Sequence, residues 1–159
     1  LWAISVHWSS SKADVRMQEA TDLNRLITQN IPARDYVVLG GDLNVTARND
    51  RAVQLLSAVM FERDAPVDSN GNTTTNMPRR KNYDWVLNDA DLAAYQVPTQ
   101  FPSKNAALVE GQNLFSSGLV FDSTIFPRLE LVAPIQATDS RAPGMQHLAV
   151  VKDYLVPVK

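Results

Sequence analysis

The sequence predicts an α/β layered domain. Two observations carry that reading. A strand, a helix and a second strand follow one another within the first forty residues. The strand segments are short, apolar and rich in β-branched or aromatic side chains, whereas the segment between them places apolar residues at helical spacing. With 159 residues the chain has the length of one domain, or of a piece of one. Folding at this size buries roughly two-thirds of the extended chain's surface. Hydrophobic residues make up 45% and charged residues 20%, a globular balance that argues against persistent disorder.

Residues 1–8, LWAISVHW, read as a strand that Ser9, Ser10 and Ser11 end. Over about 14–30, Ala20, Leu23 and Ile27 fall on one face while Gln18, Asp22 and Arg25 lie toward another, as in an amphipathic helix covering a sheet. Pro32 blocks its continuation, and Tyr36-Val37-Val38-Leu39 has the length and composition of a buried strand. A second helix follows over about 50–59, with Asp50 or Asn49 as N-cap and Leu55, Leu56 and Val59 as its buried stripe. Residues 64–82 are polar, turn-rich and aperiodic, which predicts a long surface loop of the kind that commonly carries function.

Beyond that loop, 83–87 reads as a strand and 95–97 as a shorter one before Pro98. Residues 99–118 read as loop, with weak strand or helix signals over 118–126 and 129–132. A second long loop, 134–146, precedes a final strand over 148–156. With no internal repeat, low-complexity tract or charge block, 1–159 reads as one partial domain without a linker.

Fifteen Lys and Arg against seventeen Asp and Glu leave a net charge of −2. That balance argues against a protein holding nucleic acid mainly by a broad basic face, yet it allows a catalytic encounter with a phosphate. The absence of cysteine excludes disulfides, a thiolate nucleophile and zinc–thiolate sites. It leaves the compartment open, cytoplasmic or secreted. No apolar run approaches the roughly 20 residues needed to cross a bilayer, so no transmembrane segment is expected and the protein reads as soluble. The chain opens on Leu1 and directly on a strand pattern, so it reads as a fragment.

Chemistry concentrates at strand ends. Gly40-Gly41-Asp42-Leu43-Asn44 follows the second strand, where ligands of α/β sheets gather and where glycine permits a sharp turn or a close approach. Asp42 and Asn44, two residues apart, project to one side of an extended segment, the first as acceptor and the second as donor. A plain strand-to-loop turn is the alternative. His7 and His147, the only histidines, stand at the end of the first strand and the start of the last, and imidazole is the side chain best suited to move protons near neutrality. Asp84 lies in the otherwise apolar Tyr83-Asp84-Trp85-Val86-Leu87. Either it faces water on an edge strand, or it accepts the imidazole N–H of His147 and fixes its tautomer.

The order of a histidine at a strand end, GDLN, YDWVL and a histidine before an apolar strand resembles the C-terminal part of the endonuclease/exonuclease/phosphatase superfamily, the deoxyribonuclease I-like proteins. The likeness runs from about Trp2 to Tyr154. It implies the C-terminal half of a four-layer α/β/β/α sandwich with a mixed, largely antiparallel sheet, and metal-dependent hydrolysis of a phosphate ester with Mg²⁺, or Mn²⁺ or Ca²⁺. By motif position His147 would be general base on the attacking water and Asp84 its orienting carboxylate. Asp42 and Asn44 would position the water and the developing charge, and His7 would bind a non-bridging oxygen or protonate the leaving group.

Asp42, Asn44 and Asp139 are the candidate metal ligands. The family closes with Ser-Asp-His where this chain has Met145-Gln146-His147, and neutral Gln146 is a poorer ligand for a hard cation, a charge that Asp139 could supply. Arg79, Arg80 and Lys81 form a basic strip for a polyanion, or else a solvated loop face.

The resulting expectation is a nuclease-like phosphodiesterase acting on a phosphoester, including nucleic acid. The alternatives are a phospholipid or inositol-phosphate phosphatase of the same fold and a degenerate binding module. The fragment alone, without the N-terminal half of the domain, is expected to be inactive. It would expose apolar side chains from 2–6, 37–39 and 148–154, and self-associate as a homodimer or stay bound to the missing half.

Overall fold

The computed structural model describes residues 1–104 and 106–157, and its first strand–helix–strand unit forms as the residues require: β1 (Trp2–His7), α1 (Ala13–Asn30) and β2 (Val37–Asp42). The described residues as a whole are a mixed α/β chain. They divide into two compact units, the chain passing between them after Arg63, Arg80, Tyr95 and Leu155.

In the first unit β1 and β2 run parallel, with α1 as the crossover, and β3 (Asp84–Asn88) adds to the other side of β2 antiparallel. The sheet is therefore mixed, in the order β1-β2-β3. Strand alternation sends Ile4 and Val6, Val37 and Leu39, and Trp85 and Leu87 to one face, where α1 lays Ala20, Leu23 and Ile27 against them. The second helix, α2 (Arg51–Leu56), adds Ala52 and Leu56 to the same core. Each large apolar side chain so buried contributes about 1.5–3 kcal/mol.

The N-cap of α2 is Asp50, whose Oδ1 accepts the Ala52 N–H at 2.9 Å. The helix stops earlier than its apolar stripe suggests: at Ser57 the backbone N–H turns to the Gln54 carbonyl at 3.2 Å, a tighter turn than the α-helical ladder, and the Ser57 hydroxyl donates to the same carbonyl at 2.7 Å. A short helix that periodicity does not reveal, α3 (Ala90–Ala93), follows β3. Asp89 makes it possible: Oδ1 accepts the Leu92 N–H and Oδ2 accepts the Val37 N–H, both at 2.6 Å. One carboxylate thus caps a helix and satisfies the first amide of the central strand. Asp89→Ala should cost about 1–3 kcal/mol, read as a lower urea midpoint with unchanged slope. An unaltered midpoint would mean that water replaces both bonds.

The opposite face of this sheet carries Ala3, Ser5, Val38, Gly40 and Val86, small or β-branched residues, and ends in His7, Asp42 and Asp84. Of the apolar side chains expected to lie open on β2, Val37 and Leu39 are instead buried among the helices. Alternation leaves only Val38 of that stretch on the other face.

The second unit has its own core of Phe115, Leu119 and Phe126, with Phe101 and Phe121 packed around it. The Phe101 and Phe126 rings meet edge to face at 5.3 Å. Its strands are short and pair antiparallel: β4 (Gln96–Val97) with β9 (Asp153–Tyr154), β5 (Thr99–Gln100) with β6 (Leu114–Phe115), and β7 (Leu119–Phe121) with β8 (Ala149–Val151).

Residues 99–118, expected to be loop, thus contain a strand pair. Buried Asn113 braces it, its Oδ1 accepting the Val109 N–H at 2.8 Å and its backbone carbonyl accepting the Phe101 N–H at 2.9 Å. The final strand is split at Lys152, whose Nζ donates to the Asp64 carbonyl at 2.6 Å. Leu129–Val132 is a 3₁₀ turn, and a second, Asp139–Arg141, sits within the 134–146 loop. Among the described residues no helix is long and apolar enough to cross a membrane.

Candidate active site

Three strand ends of the first unit set a row of polar side chains side by side. His7 closes β1, Asp42 closes β2 and Asp84 opens β3, and the register pairs His7 with Asp42 and Asp42 with Asp84. Because Val6, Gly41 and Trp85, the residues next to them, belong to the helix-covered face, alternation sends all three to the open one. The His7 imidazole Nε2 lies 3.5 Å from Asp42 Oδ2, with the histidine side chain 75% exposed and the aspartate 15%.

Asp42 also builds the turn that follows it. Its Oδ1 accepts the Asn44 backbone N–H at 2.7 Å, and its Oδ2 accepts the Asn44 side-chain amide at 3.1 Å. The same amide nitrogen donates to the Trp8 carbonyl at 2.8 Å, so Asn44 ties the end of β2 to the residue following β1. Asn44 holds φ at 49°, a left-handed conformation that asparagine tolerates better than most residues. With its nitrogen spent on Asp42 and Trp8, Asn44 keeps its Oδ1 as the atom to offer a ligand.

Two carboxylates directly opposite on antiparallel strands repel unless a cation or several donors face them. Asp42 and Asp84 are such a pair. Their carboxylate oxygens come within 4.8 Å of one another, and oxygen is the ligand class that hard divalent cations such as Mg²⁺ take. Two carboxylates so placed could hold a divalent metal, with the His7 imidazole beside Asp42.

His147 belongs to the second unit, where it is half-buried just ahead of β8. It bridges antiparallel to Asn76, flanked by the Met77 N–H donating to the Gln146 carbonyl at 3.0 Å and the Leu148 N–H donating to the Thr75 carbonyl at 2.8 Å. The polar 64–80 segment is accordingly braced. Asp68, 3% exposed, accepts the Asn70 and Asn72 N–H groups on Oδ1 at 2.8 and 2.9 Å and pairs through Oδ2 with the Arg79 guanidinium. Asn76 Oδ1 accepts the Arg80 N–H at 2.8 Å. Asp68 and Asn76 escaped the sequence reading. For Asp68 the signal was the Asp-Ser-Asn-Gly-Asn pattern, in which Asp and Asn side chains cap backbone groups two residues on.

The basic strip is less uniform than its sequence. Arg79 is 15% exposed and turned inward to Asp68, whereas Arg80 lies at the surface. Lys81, in the first unit, donates to the Tyr83 hydroxyl at 3.0 Å. Asp139 accepts the Gln136 N–H at 2.8 Å within its own turn, and Gln146 is exposed. Neither a protein-family model, nor a curated protein, nor a solved structure matches this chain.

Proposed function

We propose that the chain hydrolyses phosphoester bonds with a divalent metal, as a nuclease-like phosphodiesterase of the endonuclease/exonuclease/phosphatase type built on a four-layer sandwich. The observation that supports this reading most is the row His7–Asp42–Asp84 on one sheet end, with Asn44 pinned beside it. A bound Mg²⁺ or Mn²⁺ would neutralise charge on the phosphoryl oxygens. Asp42 and the Asn44 side-chain oxygen would hold it, with Asp139 as a further candidate.

Asn44 and Asp42, locked to one another, orient the attacking water without reorganising during the reaction. His7, exposed beside Asp42, binds a non-bridging phosphate oxygen or gives a proton to the leaving group. His147 takes the proton from the attacking water, and Asp84 holds the imidazole and stabilises its cationic form. Arg80 and Lys81 add positive charge for a polyanionic substrate such as nucleic acid.

The test is hydrolysis of plasmid DNA and of bis(p-nitrophenyl) phosphate by the full-length protein in Mg²⁺, with EDTA as control and phosphoinositides as the competing substrate class. Activity on the diesters that EDTA abolishes is expected. Asp42→Asn keeps an acceptor for the Asn44 N–H but removes the charge. It should weaken Mn²⁺ binding, measured by calorimetry, by more than the roughly 10–100-fold that losing an outer partner costs. Unchanged Mn²⁺ affinity would remove Asp42 from the metal site, and activity on phosphoinositides alone would replace the nuclease reading with a phosphatase.

A further inference from the structure

The loop that leaves β2 after Asn44 is fixed at its far end by a side chain that the reading above does not use. Arg48 lies with its guanidinium carbon 4.7 Å from the centroid of the Trp85 ring, and its Nη1 donates to Glu62 Oε2. The Arg48 side chain is 24% exposed and that of Glu62 9%. Burial pushes the Arg48 guanidinium down to about 10, which leaves it charged at neutral pH.

Both anchors are themselves tied to the fold by hydrogen bonds. The Trp85 indole N–H donates to the Asn82 carbonyl at 2.8 Å within the core. Glu62 follows Phe61, whose backbone exchanges two hydrogen bonds of 2.9 and 3.0 Å with Asn88 at the far end of β3. One guanidinium therefore joins the loop after Asn44, the residue next to Asp84, and a segment pinned to the opposite end of the same strand.

Stability alone does not explain a charge here. A buried ion pair regains little more than the desolvation it costs, and apolar side chains of similar volume often serve as well. What it supplies is direction. A flat guanidinium can stack on an indole and pair with a carboxylate at once, which an ammonium cannot do with the same geometry. We propose that Arg48 is a positioning residue: its stack on Trp85 and its pair with Glu62 hold the Asp42–Asn44 turn in register with Asp84, so that the two carboxylates present a fixed geometry to a phosphoester. The catalytic consequence rests on the hydrolase reading above, whereas the register is a property of the fold.

Three variants of the full-length protein test this. Arg48→Met leaves the Glu62 carboxylate buried without its cation and should lower the unfolding temperature. Arg48→Met with Glu62→Leu exchanges the pair for apolar side chains and should recover that temperature. Its kcat on bis(p-nitrophenyl) phosphate in Mg²⁺ should nevertheless stay about 10-fold or more below wild type, since small misplacements of reacting groups cost at least that. KM should be unchanged, and the backbone amide resonances of Asp42, Asn44 and Asp84 should be displaced while those of α1 are not.

Recovery of both stability and kcat, with those amides at their wild-type positions, would show that Arg48 only packs and would overturn the proposal. Arg48→Lys, which keeps the charge but not the flat face, is read in the same way should the double variant fail to fold. A wild-type protein without phosphoesterase activity defeats the hydrolase reading alone. The amide resonances then decide on Arg48: displaced, they support the positioning role, and unmoved, they refute it.

Discussion

Gly41→Ala is expected to destabilise the fold by about 3 kcal/mol, while Gly40→Ala, one residue earlier, should be nearly neutral. Gly41 sits at φ 145°, a conformation that L side chains rarely adopt, and a Cβ added there would stand 1.9 Å from the Val6 carbonyl oxygen and 2.9 Å from its carbon. Those are backbone atoms of the neighbouring parallel strand, so no rotamer change can relieve the clash. β1 would have to move away from β2, and the His7–Asp42 register would go with it.

At Gly40 the nearest atom to an added Cβ is the Trp85 carbonyl oxygen at 3.7 Å, an ordinary contact. Alanine there also narrows the unfolded ensemble, which favours the native state by up to about 1 kcal/mol. Urea titration of both variants, followed by circular dichroism, makes the comparison. Equal midpoints would show that β1 and β2 tolerate separation at this point, and that the glycine is no constraint on the site.

This pair also shows what the sequence could and could not convey. Gly-Gly-Asp after an apolar run marks a place where backbones turn or approach, and His7, Asp42 and Asn44 are recognisable as polar residues at strand ends. The apolar run alone places the strand's end at Leu39, yet β2 continues through Asp42. Both glycines are therefore interior positions, and β1 passes close by at Gly41, which only the cross-strand distance reveals.

Register is equally hidden: nothing in YDWVL says that Asp84, and not Tyr83, stands opposite Asp42. The stripe of α1 was legible because eighteen residues sample five turns of one face. By contrast, β5 and β6, two residues each, carry no period to read. Arg79 illustrates the remaining gap. A run of three basic residues resembles a solvated strip, but a carboxylate eleven positions earlier, buried by its own turn, draws the first of them inward.

His147→Ala should lower kcat for phosphodiester hydrolysis by about 10²–10⁴-fold in the full-length protein, the range a general base contributes, while the protein still folds. The second expectation follows from how the residue is held. Its segment is fixed through backbone groups, Leu148 N–H to Thr75 and Gln146 carbonyl to Met77 N–H, and through the buried Leu148 side chain, none of which alanine at 147 removes. A loss of rate in a normally folded variant therefore reports the imidazole itself.

Asp84→Asn should cost less, because an amide can still accept from the ring but cannot stabilise the imidazolium. If the two residues act as base and orienting carboxylate, the double variant should be hardly slower than His147→Ala alone, since removing the second member of a broken unit has nothing left to impair. Steady-state kinetics of the four proteins in Mg²⁺ complete the cycle. Multiplicative losses would assign Asp84 to the metal side of the site and leave His147 acting without it, and a His147→Ala protein with wild-type kcat would remove the base altogether.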